Sequence, residues 1–234
     1  MNNTITLTPM MQQYMETKKQ YSDCILFYRL GDFYEMFFDD AITASKELEI
    51  TLTGKDCGLK ERAPMCGVPF HSVETYINRL IEKGYKVAIC EQVEDPKKAK
   101  GLVKREVVRI VTPGTTLDAT SLDETKNNYL MSIVYIEDHF GCAIADITTG
   151  DCFLTELDKA QKLLDEINKF TPAEIICNES FLMSGVDTED LKNRLGICVF
   201  SQEPWYFDDE LCRKTLKEHF QVNSLEGLGI GEFE

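Results

Sequence analysis

The order of apolar and polar residues predicts both helices and strands in the first half of the chain. Helical spacing recurs three times, and β-branched apolar runs bounded by polar loops indicate strands. The expected elements are a helix over residues 8–19, a hairpin around residues 31–32, a helix within FFDDAITASKELEI, a short strand ITLT, a helix from Ser72 to Gly84, and strands YKVAICEQV and REVVRIV. Residues 54–64, GKDCGLKERAP, have no apolar period and predict an exposed loop. These elements predict a mixed sheet with flanking helices.

The second and third helices have predicted caps and inner faces. An aspartate, Asp39 or Asp40, would cap the second helix. Ser72 would cap the third, which Gly84 ends. The inner face of the second helix is expected to comprise Ile42, Ser45 and Leu48. The inner face of the third is expected to comprise Val73, Tyr76, Ile77, Leu80 and Ile81.

The stretch GDFYEMF at residues 31–37 follows the apolar run CILFYRL and predicts a β-hairpin. Its Gly-Asp pair favours a two-residue turn in which the glycine takes a positive φ. This turn would place Leu30 opposite Phe33 and Tyr28 opposite Glu35. Because side chains alternate along a strand, Phe33 and Glu35 would share one face. On geometry alone, Phe33 fits a core position and Glu35 fits a strand residue that reaches water.

The pattern changes at residues 112–128, TPGTTLDATSLDETKNN, where no apolar period remains and a domain boundary is indicated. The following stretch, YLMSIVYIEDHFGCAIADITTGDCFLTEL, predicts three antiparallel strands with turns at Glu137-Asp138 and Thr149-Gly150. Helices at 158–169 and 208–219, strands AEIICN and ICVF, and one further helix complete a ribonuclease H-like α/β order. We therefore expect an N-terminal mixed-sheet domain at residues 1–112, a linker at 113–126 and a ribonuclease H-like domain at 127–234.

Composition adds a cellular context to this fold prediction. The 234 residues are 43% hydrophobic and 10% aromatic, which is typical of a globular protein. No apolar run approaches the ~20 residues of a membrane span, and the start MNNTITLT lacks the features of a signal peptide. The nine cysteines form no C-x-x-C pair, and most lie in apolar stretches. We expect a soluble cytoplasmic chain with reduced thiols; Cys57, Cys66 and His71 form an irregularly spaced alternative as metal ligands.

Charge is divided unevenly between the two halves. Residues 1–112 hold 16 Lys and Arg against 16 Asp and Glu, whereas residues 113–234 hold 9 against 24 and therefore carry the whole net charge of −15. Basic residues cluster within the neutral half at Lys97, Lys98, Lys100, Lys104, Arg105 and Arg109. This cluster could face a polyanion, although Lys97 to Lys100 could equally form a solvated surface.

Motifs for chemistry are few. The chain has no G-x-x-x-x-G-K-[ST] phosphate loop, so nucleotide hydrolysis is not expected from this chain. It also has no G-x-S-x-G elbow of the kind that carries a serine nucleophile. The ribonuclease H-like order suggests one alternative, a metal-dependent nuclease built on Asp146 in AIADITTG. Further carboxylates for such a site could come from Asp151 and from Asp165 or Glu166. The acidic charge of this half argues against a nucleic-acid substrate there.

Four motifs in a fixed order carry a resemblance to a known family. With GDFYEMFFDDA, PMCGVPFH, AICEQVEDP and VVRIVTPGT, the chain resembles the MutS family of DNA mismatch repair proteins. The resemblance runs from TPMMQQY through ADITTG to the end and corresponds to the mismatch-recognition and connector domains that begin such proteins. It implies that the lever, clamp and ATPase parts of the family lie outside this sequence, which is expected to be part of a longer protein. No enzymatic activity is therefore expected of this chain.

The resemblance implies a role for the hairpin residues. Phe33 would enter the minor groove and stack on a mispaired base, and Glu35 would hydrogen-bond that base. A carboxylate near phosphates is repelled, so we expect Glu35 either to accept a hydrogen bond from a base N–H or to be protonated itself. The wedge interpretation replaces the core position that geometry alone favours for Phe33.

Further contacts and partners follow from the same resemblance. Pro64 and Met65 would lie along the groove, although Met65 could simply be packed. Arg105 would contact the DNA backbone, as could Arg62, Lys104 and Arg109. The second domain would meet a MutL-type matchmaker, and the full-length parent would be a nucleoid-associated homodimer that uses ATP and magnesium. Mismatched double-stranded DNA is the expected ligand, and this chain itself is expected to need no cofactor.

Overall fold

The computed structural model describes residues 7–94, 101–116 and 127–230, which divide between two compact units, residues 1–118 and 119–234. The helices of the first unit are α1 (Pro9–Gln20), α2 (Phe38–Leu48) and α3 (Val73–Glu82). Its strands are β1 (Cys24–Leu30), β2 (Phe33–Phe37), β3 (Thr53–Lys55), β4 (Ala63–Pro69), β5 (Lys86–Gln92) and β6 (Arg105–Val111). The predicted mixed sheet with flanking helices is confirmed.

A single six-stranded sheet organises the first unit. Its strand order is β3-β4-β2-β1-β5-β6, and all neighbours are antiparallel except β1 and β5. Helices α2 and α3 cover one face, where Ala44, Leu48, Ile77 and Leu80 pack against the sheet. Helix α1 covers part of the opposite face through Met11 and Tyr14. The sheet is therefore buried on both faces over much of its area.

Helix α2 differs from its prediction. It begins at Phe38, directly after β2, so neither Asp39 nor Asp40 is its cap. Asp40 instead turns inward, accepts a 2.9 Å hydrogen bond from the Leu26 amide and pairs with Lys18 at 2.9 Å. The Asp40 carboxylate thus bonds to residues outside α2 instead of capping the helix.

The inner face of α2 is also rotated relative to the prediction. Ala41, Ala44 and Leu48 are buried, whereas Ile42 is 49% exposed and Ser45 is half-buried. The two alanines lie against the sheet, and their small side chains fit where the helix approaches it. Only Leu48 of the predicted set is fully buried.

Helix α3 follows its prediction more closely. It begins after Ser72 and ends before Gly84, whose φ is +83°. Four of its predicted inner residues are buried and Tyr76 is half-buried. The Ser72 hydroxyl does not cap the helix, because it donates instead to the Pro69 carbonyl at 3.3 Å.

The segment between α2 and β4 is more ordered than its prediction. The strand expected at ITLT lies later, at Thr53–Lys55, because Glu49 ends α2 in a left-handed conformation with φ 58° and residues 50–52 connect helix to strand. The loop expected at residues 54–64 is correspondingly shorter, and Cys57 within it is fully buried. This shift brings Lys55 onto a strand.

The second unit has the predicted ribonuclease H-like order. Its strands are β7 (Tyr129–Ile136), β8 (His139–Asp146), β9 (Cys152–Leu157), β10 (Glu174–Cys177) and β11 (Cys198–Ser201). Its helices are α4 (Ala160–Phe170), α5 (Thr188–Leu195) and α6 (Asp209–Phe220). The sheet order is β11-β10-β7-β8-β9, in which the first three strands in sequence are antiparallel and the last two join in parallel.

Local turn chemistry produces the three-stranded part of this sheet. Glu137 and Asp138 both have positive φ, 48° and 65°, as a type I′ hairpin turn requires. Gly150, with φ 80°, lies in the second turn. Both turns lie at the predicted positions. The core beneath this sheet joins β7 and β8 to α4, with Met131, Ile144 and Ile167 fully buried.

Most cysteine side chains lie inside the cores of the two units. All nine cysteines are free thiols, and seven of them are buried. Burial raises the pKa of several, including Cys66 and Cys142, to about 12, so these thiols are unreactive at neutral pH. In the part of the chain that the structure describes, no helix is both long and apolar enough to cross a membrane.

Candidate nucleic-acid interface

The β1–β2 hairpin presents Phe33 at its tip. The register pairs Leu30 with Phe33 and Tyr28 with Glu35, as predicted, across a turn in which Gly31 has φ 60°. Alternation along β2 leaves Phe33 47% exposed and buries the next residue, Tyr34. Phe33 and Glu35 therefore lie on one face of the sheet, and Phe33 does not occupy the core position that geometry alone favoured.

A polar and aromatic cluster on the opposite face supports this hairpin. The Tyr34 hydroxyl donates to a carboxylate oxygen of Glu91. The Arg29 guanidinium lies over the rings of Phe70 and Tyr34, at 4.1 and 5.4 Å from their centroids. The Phe70 amide donates to the Asp32 carbonyl at 3.0 Å. The hairpin tip that carries Phe33 is thus supported on the opposite face by a residue of β5 and by the segment after β4.

Glu35 lies beside a cation on β3. Its carboxylate Oε2 is 2.5 Å from Nζ of Lys55, and the two side chains are only 16% and 33% exposed. The Lys55 ammonium is also 5.5 Å from the Phe37 ring centroid. Gly67 pairs with Glu35 from β4, and a Cβ at Gly67 would be 3.5 Å from Cγ of Glu35. The absence of a side chain at Gly67 leaves Glu35 room to lie over β4.

Sequence reasoning assigned Lys55 only to an exposed loop. The signal that could have found it is the alternation of Thr53 and Lys55 in a strand that pairs with β4. That register places Lys55 opposite Ala63, close enough for its long side chain to cross over β4 toward β2.

Arg105 joins the same face from the other side. Its guanidinium donates from Nε to the Arg29 carbonyl at 2.8 Å and from Nη1 to Gln13 Oε1 at 3.1 Å and the Val103 carbonyl at 3.0 Å. It lies 5.2 Å from the ring centroid of Tyr28, the residue opposite Glu35. Arg105 is therefore a fixed positive charge near the end of the sheet that bears Phe33.

The other predicted contact residues are more dispersed. Met65 pairs with Phe37 and packs partly into the core under α1. Pro64 precedes it on β4, so alternation directs Pro64 to the opposite face. Arg62 is exposed and lies beside Gly54, whose added Cβ would be 3.1 Å from Cβ of Arg62.

The last two basic candidates are held in exposed ion pairs. Lys104 lies 2.5 Å from Glu106, and Arg109 lies 3.0 Å from Glu74 of α3. Arg109 thus lies on the α3 side of the sheet, apart from Phe33. Lys97, Lys98 and Lys100 lie outside the described residues.

The surroundings of Asp146 indicate a role in stabilising the fold. It is 1% exposed and accepts hydrogen bonds from the Asn128 amide at 3.0 Å and from the Thr148 amide and hydroxyl at 2.8 and 2.6 Å. Burial raises the pKa of this carboxyl, but the Thr148 and Asn128 hydrogen bonds outweigh burial and hold the pKa below its ordinary value. Asp146 thereby ties β8 to the start of β7.

Neither metal alternative is supported by the residues that the structure describes. Cys57 and Cys66 lie in the cores on opposite faces of the sheet, and His71 is exposed. Within residues 7–94, 101–116 and 127–230, no group of three or more His, Cys, Asp or Glu side chains could hold a metal ion. The nuclease alternative, which requires converging carboxylates around Asp146, is likewise unsupported.

Two family models match successive parts of the chain. The family models for MutS domain I and MutS domain II match residues 8–120 and 128–234, respectively. The DNA mismatch repair protein MutS of Lachnoclostridium phytofermentans is 66% identical over 227 residues, which cover 97% of this chain and 24% of that protein. The MutS proteins of Acetivibrio thermocellus and Clostridium novyi are 58% and 62% identical, over 94% and 97% of this chain and 26% and 25% of those proteins.

These matches define the class of protein. It is a two-domain α/β segment with an exposed aromatic hairpin, and it spans about a quarter of the length of the curated relatives it matches. The chain belongs to the MutS family of DNA mismatch repair proteins and comprises its domains I and II.

Proposed function

We propose that the first unit of this chain binds mismatched double-stranded DNA, with Phe33 as the wedge and Glu35 as the group that hydrogen-bonds the mispaired base. The observation that carries the proposal is the 47% exposure of Phe33 at the tip of a braced hairpin, on the same face as Glu35. An aromatic side chain on a fixed support is what insertion between base pairs requires.

The wedge would respond to deformability rather than to sequence. Insertion of Phe33 unstacks a base step, which costs on the order of a few kcal/mol. This cost is lowest where base pairing is already defective, so a mismatch binds more tightly than a paired step. Because every base has an aromatic face, one phenylalanine can act on several kinds of mismatch.

Glu35 would add a penalty for ordinary duplex. A carboxylate in the minor groove is repelled by phosphates, and the DNA itself compensates it only where a base offers a hydrogen-bond donor. Displacement of a mispaired base can offer such a donor. Glu35 would therefore sharpen the discrimination that Phe33 begins.

Basic side chains around the hairpin would supply affinity without base information. Arg105 is fixed near Tyr28 and fits a backbone contact, and exposed Arg62 is available on the β3–β4 side. Lys104 and Arg109 would first have to leave exposed ion pairs, which cost little to break. Each phosphate contact would add to the salt dependence of binding. Met65 would contribute apolar surface along the groove, whereas Pro64 lies on the opposite face of the sheet from Phe33, so a groove contact by Pro64 is not part of this proposal.

We infer that the second unit contacts a protein, of the MutL matchmaker type, rather than DNA. Residues 113–234, which include this unit, carry the entire net charge of −15, which repels a polyanion. Homodimerisation, ATP and magnesium belong to the same proposal for a full-length parent. The residues of this chain do not fit an ATP–magnesium site, since it has no phosphate loop, and no metal-ligating cluster occurs among the described residues. No step proposed for this chain involves either.

The test is a titration of the 234-residue chain with otherwise identical duplexes that contain a central G·T or G·C pair. Because the family resemblance implies a dimer that encloses DNA, we expect weak binding, and amide chemical-shift perturbation in NMR spectra measures weak affinities. We expect tighter binding to G·T at both 50 and 200 mM salt, with the largest shifts in β2 and its turn. Equal affinity for the two duplexes, or shifts confined to the second unit, would contradict the proposal.

A further inference from the structure

We propose that Lys55 shields Glu35 whenever this surface lies on fully paired DNA, and so sets how strongly Glu35 discriminates. This inference rests on the proposed function and assigns an electrostatic role to a residue outside the hairpin. Lys55 would act through Glu35, and its effect should disappear when Glu35 has no charge.

The geometry of the pair supports this role. Lys55 Nζ and Glu35 Oε2 are 2.5 Å apart, and both side chains are more than half buried. The Lys55 ammonium also lies over the ring of Phe37 on β2, 5.5 Å from its centroid, a cation–π contact that favours this position. Since Gly67 has no side chain, nothing on the neighbouring residue of β4 separates Glu35 from the ammonium. The negative charge of Glu35 is therefore already balanced by the Lys55 ammonium in the absence of DNA.

Pairing with Lys55 lowers the free-energy cost of placing the Glu35 carboxylate against paired DNA. Paired duplex offers Glu35 no free base donor, so the carboxylate can either stay paired with Lys55 or lie unpaired in the groove. An unpaired carboxylate among phosphates is strongly unfavourable. By staying paired with Glu35, Lys55 makes binding of this surface to fully paired duplex less unfavourable.

At a mismatch, Glu35 would change its hydrogen-bonding partner. The base donor replaces the ammonium as the partner of Glu35, and Lys55 is released toward the phosphates, which attract it. The carboxylate remains compensated at every stage. Removal of the Lys55 charge should therefore weaken binding to paired DNA more than binding to mismatched DNA, and the ratio of the two affinities should rise.

The experiment is a double-mutant cycle on the 234-residue chain, with Lys55→Met, Glu35→Gln and both together, titrated with G·T and G·C duplexes. We expect Lys55→Met to weaken both complexes and to raise the affinity ratio of G·T over G·C by about three- to fivefold, the range of a partly exposed ion pair. In the Glu35→Gln background, Lys55→Met should leave the ratio unchanged.

Three further variants control for charge and folding. Lys55→Arg keeps the cation and should keep the wild-type ratio. Lys60→Met removes a charge from the exposed segment that follows β3, and should not raise the ratio. Lys55→Gln provides a second neutral variant, and thermal unfolding of each protein verifies that it is folded.

The outcomes separate the two proposals. If Lys55→Met weakens both complexes equally, or does so regardless of Glu35, then Lys55 contacts only phosphate and the shielding role is wrong. If the ratio falls, Lys55 orients Glu35 instead of shielding it, which also overturns the inference. In both cases the wild-type preference for G·T leaves the proposed function intact, whereas a wild-type chain without that preference overturns both.

Discussion

Leu30 and Phe33 face each other across the two-residue turn of Gly31 and Asp32 and form the last pair of the β1–β2 hairpin. This relationship determines the direction of Phe33, because the pair fixes the register and the register fixes which side chains share a face. The half-exposed aromatic ring is thus a consequence of turn chemistry.

Gly31 is expected to be essential for this register. Its φ is +60°, and an added Cβ would meet no atom within 4 Å, so any cost of Gly31→Ala comes from the backbone rather than from crowding. We expect a loss of about 1–2 kcal/mol in the free energy of unfolding. Chemical denaturation of the chain measures it.

Gly101→Ala is the matched control for that change. Gly101 also has open space around its Cβ position and does not have a positive φ. It should be close to neutral. Equal effects of the two substitutions would show that Gly31 is not held in a conformation that favours glycine.

Arg105 and Lys104 are neighbours with different expected contributions to stability. Arg105→Met removes three hydrogen bonds that a charged group donates, to the carbonyls of Arg29 and Val103 and to the Gln13 amide oxygen. We expect a loss of about 1–3 kcal/mol in the free energy of unfolding. Lys104→Met breaks only an exposed pair with Glu106 and should not change stability measurably.

Urea unfolding of both variants tests this contrast. A stable Arg105→Met protein would mean that the Arg105 network does not fix β6 to β1 and α1. In DNA titrations, each variant that loses a phosphate contact should show a smaller salt slope, while the G·T over G·C ratio stays the same.

Asp146 is expected to matter for stability and not for chemistry. Asp146→Asn places an amide NH₂ where the carboxylate accepts backbone and hydroxyl hydrogens, so we expect a loss of about 1–3 kcal/mol at pH 7. The folded pKa of Asp146 lies below the ordinary value of 3.8. The stabilisation from ionised Asp146 is therefore complete well above pH 3.8 and is lost as the pH falls through the folded pKa.

Denaturation of both proteins at pH 7, 5.5 and 4 measures this dependence. The difference between wild type and Asp146→Asn should be constant from pH 7 to 5.5 and should begin to shrink near pH 4. A difference that grows toward acid pH would contradict the hydrogen-bonding account. Cleavage of mismatched or nicked DNA with magnesium, abolished by Asp146→Asn, would instead favour the nuclease alternative.

Much of the fold could be predicted because it depends on local signals. The hairpin follows from Gly31-Asp32, and the three-stranded meander follows from turns at Glu137-Asp138 and Gly150. The order of strands and helices along the second unit follows from its hydrophobic periodicity and turn residues. Phe33 and Glu35 could be assigned to one face because that assignment needs only a register and the period of a strand.

The errors arise where tertiary partners outweigh local preference. Asp40 is drawn from the end of α2 by Lys18 and the Leu26 amide, contacts that come from distant parts of the chain. Lys55 could not be paired with Glu35 from sequence, since β3 has three residues and its position depends on pairing with β4. Similarly, nothing local indicates that Arg105 donates to Gln13 across 92 residues.

Substitution of Phe33 tests the central claim most directly. Phe33→Ala should abolish most of the preference of the 234-residue chain for a G·T over a G·C duplex, while the half-exposed side chain contributes little to stability. Phe220→Ala is the matched control, because Phe220 is equally exposed at 47% but lies in the second unit. Parallel titrations should show the preference lost only in Phe33→Ala. An unchanged G·T over G·C ratio in a folded Phe33→Ala protein would contradict the wedge account.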